Sequence, residues 1–149
     1  MTYNLNKHHR RSLRLKGYDY SKPGAYFITI VSQERACLFG DVVDGEMQLN
    51  GAGRMVYAEW ESLPDRFPGI MLDAFVVMPN HIHGIIVIVG DPVGVGLVPA
   101  QNTRPTTNRA TTRVAPTVGD VVGVFKSGTT VLYTHGVKQC GWPPFPGRL

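Results

Sequence analysis

Residues 70–89 read IMLDAFVVMPNHIHGIIVIV. Two runs rich in β-branched and aromatic residues flank Pro79-Asn80. That pattern predicts strands at 70–78 and 81–89, joined by a tight corner. His81 and His83 are two apart on the second strand. A period of two puts both imidazoles on one face and Ile82 on the other. Neighbouring imidazoles at that spacing can bind one divalent ion. The apolar residues that follow, Gly84 to Ile88, supply a stiff and buried support.

Working outward, AYFITIVS (25–32) follows Pro23-Gly24 and predicts another strand. Leu38–Val43 and Glu46–Leu49 flank Asp44-Gly45, a dipeptide suited to a type I′ turn, because both central residues need positive φ. A hairpin is expected there. Asn50 can cap a helix running to about Leu63, with Ala52, Met55, Val56, Trp60 and Leu63 on one face and Pro64 as its stop. Gly51 and Gly53 weaken its first turn. Residues 90–116 are full of Pro, Gly and Thr and read as a flexible surface insertion. Thr117 with Asp120 three residues later resembles a capping box, although Glu or Gln is the usual partner, and predicts a helix at about 118–133. The closing CGWPPFPGRL can be neither helix nor central strand. Without the hairpin the order is β-α-β-β-α. This predicts an α+β fold: a ferredoxin-like βαββαβ sandwich with an antiparallel sheet, its last strand missing and one sheet edge open.

The chain has 149 residues and a mass of 16.4 kDa, which predicts a single domain over 1–149. Hydrophobic residues make up 43% of it, enough for a buried core. The longest apolar or Gly run, Gly84 to Gly90, is far short of the ~20 residues of a membrane-spanning helix. The start, MTYNLNKHHRR, has no apolar segment after its charges, so no secretory leader is expected. Cys37 and Cys140 form no CxxC pair and predict a reducing, cytoplasmic setting. Cys37, beside Leu38 and Phe39, is expected to be buried.

Charge is divided unevenly. The leader, residues 1–22, carries six basic side chains against Asp19, a net +5. Residues 23–91 carry three against nine carboxylates, −6, and residues 92–149 carry six against Asp120, +5. Basic ends around an acidic middle fit a polyanionic partner. Tyr18 and Tyr20 lie among the leader's cations, a composition suited to stacking on unpaired bases.

Three segments together carry a resemblance: RRSLRLKGYDYSKPGAYFITI (10–30), FVVMPNHIHGIIVIV (75–89) and VVGVFKS (121–127). They resemble the REP-associated tyrosine transposases, single-tyrosine HUH transposases of the insertion-sequence type. The likeness covers nearly all of the chain except 90–116. It implies binding of hairpin-forming single-stranded DNA and strand cleavage and joining through a 5′-phosphotyrosine. It implies Mg2+ or Mn2+ held by His81, His83 and a third polar ligand, with imidazole favouring Mn2+ as the softer ion. The ion would draw charge from the phosphate as a Lewis acid. Arg10, Arg11, Arg14, Lys16 and Lys126 become phosphate contacts. A homodimer is compatible with the resemblance, and a membrane partner is not expected. In that family the nucleophilic tyrosine follows a Trp-Gln-Arg segment on a later helix, which this chain does not reach. Impaired catalysis is therefore expected, with Tyr133 the single helical tyrosine downstream of the histidines. The alternative reading is a non-catalytic single-stranded nucleic-acid-binding module, which needs only the basic ends and exposed aromatic residues.

Overall fold

The computed structural model describes residues 14–90 and 116–146. Arg10, Arg11 and nearly all of the expected insertion lie outside them. The elements are β1 (Gly24–Val31), β2 (Gly40–Val43), β3 (Glu46–Leu49), α1 (Gly51–Glu61), α2 (Leu63–Arg66), β4 (Ile70–Met78), β5 (His81–Ile88) and α3 (Val118–Gln139). The fold is α+β, with the β-α-β-β-α order of a ferredoxin-like unit once the β2–β3 hairpin is set aside.

The main sheet has the order β1-β5-β4, antiparallel throughout. β5 is central, buried along its even positions and half-buried along its odd ones. β1 is an edge strand, with no second partner among the described residues. The hairpin turn forms as expected: Asp44 and Gly45 have φ of 52° and 83°.

Asn50 caps α1 by accepting a hydrogen bond from the Gly53 N–H at 2.9 Å. Gly53 is required there, since a Cβ at this position would run into the Phe39 carbonyl. Ala52, Val56, Trp60 and Leu63 are buried, as the spacing predicts. The helix ends at Glu61, before Pro64, and Pro64 falls in the first turn of α2. A proline is tolerated in a first turn because its missing N–H has no intrahelical partner to lose.

Thr117 and Asp120 form the capping box of α3. This helix runs six residues past its expected end at 133. The tail holds the extra turns: Trp142 lies over Gly136, where a Cβ would collide with the indole, and Phe145 stacks on Tyr133 at 4.5 Å. Tertiary packing here outweighs the low helix propensity of glycine. Cys37 is exposed, contrary to expectation. Leu38 beside it takes the buried place instead.

The core lies between the sheet and the helices. Trp60 stacks on Phe75 (4.5 Å, 8°) and meets Phe125 edge-on (5.5 Å, 89°). Even-numbered residues of β5, Ile82, Ile86 and Ile88, point into this layer and are buried. Each such side chain contributes about 1.5–3 kcal/mol. Gly84 is the even-numbered exception, because the Trp60 indole occupies the space a Cβ would need.

Candidate metal and nucleic-acid site

The odd-numbered residues of β5 face away from the helices. His81 and His83 therefore share the open face, their ring centroids 4.8 Å apart. The expected side-by-side geometry is present, and both rings are half-buried.

Each ring is held through Nδ1. His81 Nδ1 lies 2.7 Å from Asn80 Oδ1, and His83 Nδ1 lies 2.8 Å from Thr29 Oγ1. The register explains the second contact. Ser32 donates its N–H to the Asn80 carbonyl at 2.9 Å, so even-numbered residues of β1 and β5 form the hydrogen-bonded pairs. Thr29 and His83 are then a non-hydrogen-bonded pair, the kind in which facing side chains approach most closely. Phe27, the diagonal neighbour, stacks on the His83 ring at 5.4 Å and 21°, and is itself 68% exposed. Sequence spacing could not reveal Phe27 or Thr29 as neighbours of His83, since β1–β5 register sets both contacts, whereas Asn80 adjoins His81 in the chain.

The pair fits part of a divalent-ion shell. With Nδ1 engaged on both rings, Nε2 is the nitrogen left to coordinate, and ligating imidazoles are commonly held in this way. Among the described residues no group of three or more His, Cys, Asp or Glu side chains that could hold a metal ion forms, so a cation at the pair would find two such ligands there.

The other expected site residues lie elsewhere. Tyr133 is on the opposite side of the sheet, 2% exposed, and donates its hydroxyl to the Pro143 carbonyl at 2.7 Å. Burial raises its pKa above the ordinary 10.0, which disfavours the phenolate. Lys126 lines a cavity of about 310 Å³ between β1 and α3, with Val31, Phe39, Phe125 and Tyr133 also in its wall. That cavity too is on the helix side. Arg14 lies over the Tyr20 ring at 5.9 Å, and the Tyr20 carbonyl accepts from the Val118 N–H. Arg14 and Lys16 are exposed and belong to the Gly24 end of β1, away from Thr29. Thr29 is five strand steps from Gly24, about 17 Å. Tyr18, Tyr20 and Tyr26 pack on one another at 4.9–6.4 Å. The Tyr26 phenol is pushed up to about 12, chiefly by its hydrogen bond with Tyr18. None of the described tyrosines shares the face of the histidines.

No family model and no solved structure matches the chain. An uncharacterized protein of Haemophilus influenzae (strain ATCC 51907 / DSM 11121 / KW20 / Rd) is 44% identical to it over 128 residues, covering 86% of this chain and 70% of the relative. The chain belongs to the family of that protein. Among the described residues no helix is long and apolar enough to cross a membrane.

Proposed function

We propose that this chain serves DNA transposition as an HUH-type domain that binds single-stranded, hairpin-forming DNA with the help of a divalent ion. The observation that carries this reading is the His81–His83 pair on an open sheet face, both rings oriented through Nδ1. His81 and His83 would hold Mg2+ or Mn2+, with further coordination positions open to phosphate oxygens. When bound, the ion would supply Lewis-acid stabilisation of a phosphodiester. Phe27 offers an exposed ring beside the pair on which an unpaired base can stack. Arg14, Lys16 and Lys126 add a positive field along other parts of the surface rather than contacts at the histidines.

Strand cleavage and joining through a phosphotyrosine is the activity this reading assigns to the domain type. In this chain the described tyrosines are packed or clustered away from the pair, so the expected activity is binding with little or no covalent capture. The cytoplasm is the setting proposed for it.

The test is fluorescence anisotropy with a labelled single-stranded hairpin, with and without Mn2+. Wild type should bind more tightly with Mn2+, and the variant carrying His81→Ala and His83→Ala should lose that gain. Equal affinity in all four conditions would favour the non-catalytic binding module, which the exposed Phe27 alone could serve. A covalent protein–DNA adduct that disappears in Tyr133→Phe would overturn the assignment of Tyr133 to packing.

A further inference from the structure

We infer that Asn80 and Thr29 are positioning residues that fix His81 and His83 in one tautomer, the proton on Nδ1 and the free lone pair on Nε2. The step toward a cation rests on the proposed function. The tautomer assignment of His81 does not.

Asn80 is oriented first. Its Nδ2 donates to the Arg35 carbonyl at 3.2 Å. Turning the amide over would set Oδ1 against that carbonyl, two acceptors face to face. Oδ1 therefore faces His81. An amide oxygen only accepts, so the proton of this hydrogen bond belongs to His81 Nδ1, and Nε2 keeps its lone pair.

The Arg35 carbonyl is held in place by an unusual turn. Glu34 and Arg35 have φ of 54° and 56°, consecutive left-handed residues that are not glycine. Such a conformation is sparsely populated and persists only where the surroundings enforce it. Here the turn is tied at both ends. Arg35 N–H donates to the Ser32 carbonyl at 3.1 Å, and Ser32 donates to Asn80. The Ser32 hydroxyl also donates to the Ala36 carbonyl at 2.7 Å. The strained turn, the Pro79-Asn80 corner and His81 thus form one hydrogen-bonded chain.

Thr29 does the same work for His83 from the neighbouring strand. A hydroxyl can accept or donate, so this contact by itself admits either tautomer of His83; Oγ1 accepts from Nδ1–H in the arrangement that leaves Nε2 free for the proposed cation. Phe27 stacks on the His83 ring and limits its rotation. Two different supports, a corner amide and a cross-strand hydroxyl, converge on one result: two Nε2 lone pairs on the same open face.

The experiment reads the tautomers directly. Long-range proton–nitrogen NMR is recorded on the ion-free protein at about pH 8.5. It should show both rings with the proton on Nδ1. Asn80→Ala should release His81, and Thr29→Val should release His83, toward the Nε2–H form. Thr29→Ser, which keeps the acceptor oxygen, should retain the wild-type pattern. In Mn2+ titrations followed by electron paramagnetic resonance, the two disruptive variants should bind about 10–100-fold more weakly, and Thr29→Ser should not. Circular dichroism melts identify any variant that does not fold, and Thr29, exposed on the sheet surface, keeps the test open if the Asn80 corner does not tolerate change.

An Nε2–H pattern in folded wild type would overturn the inference. So would Mn2+ affinity unchanged in folded Thr29→Val. If wild type shows the expected tautomers but takes up no Mn2+, the cation reading falls while the positioning of the rings is upheld.

Discussion

The two faces of the β1-β5-β4 sheet differ in what neighbouring side chains do. On the helix face, Ile82, Ile86 and Ile88 enter a layer filled by Trp60 and Phe125, and among the described residues no polar or charged residue is buried. On the open face, Phe27, Met71 and Val76 are exposed, and the polar contacts are those that hold His81 and His83. One strand, β5, serves both: its even positions stabilise the fold and its odd positions carry the candidate chemistry. A one-residue slip of β5 would exchange the two roles. The histidines can therefore be exposed to ligand without loosening the core, because the core does not use them.

The sharpest way to break this contrast is to truncate one position of each kind. Ile86→Ala on the helix face should cost about 2–5 kcal/mol of unfolding free energy by urea denaturation. Met71→Ala on the open face should stay within about 0.5 kcal/mol. Comparable losses at the two sites would mean the open face is covered in solution. Gly84→Ala comes next, at about 1–3 kcal/mol, since the added methyl must displace the Trp60 indole.

Phe27→Ala should leave stability nearly unchanged. It should weaken single-stranded DNA by about 1–3 kcal/mol in anisotropy, the contribution of one stacked base. Undiminished affinity would remove Phe27 from the proposed interface.

The smallest effect belongs to the helix layer. Thr117→Ala should cost about 1 kcal/mol through loss of the α3 cap. The Asp120 carboxyl is held below its ordinary 3.8 by hydrogen bonds from the Thr117 hydroxyl and backbone N–H. A depressed folded value means its contribution is full above the unfolded value and is lost as pH falls through the lower folded one. The urea midpoints of wild type and Asp120→Ala should thus differ at pH 7 and converge in strong acid. A gap that widens on acidification would contradict the cap.

Much of this was legible in residues 70–89, where two strands, a corner and the shared face of His81 and His83 follow from side-chain period alone. Asp44-Gly45, Asn50 and Thr117 with Asp120 were legible because turns and caps are local chemistry. The cross-strand supports of the site were not. Thr29 meets His83 across 54 positions of sequence, through a pairing register that no local pattern states. The length of α3 was hidden for the same reason, since Trp142 and Phe145 return from the tail to pack on Gly136 and Tyr133. Placing Tyr133 under that tail required the fold, and so did placing Lys126 on the helix side.

The central claim is that His81 and His83 act together on one divalent ion. Isothermal titration of Mn2+ into wild type, His81→Ala and His83→Ala tests it most directly. The account predicts a single site in wild type that is lost in either variant while both still melt cooperatively. A wild type that takes up no Mn2+, or a single-histidine variant that binds it as wild type does, would contradict the account.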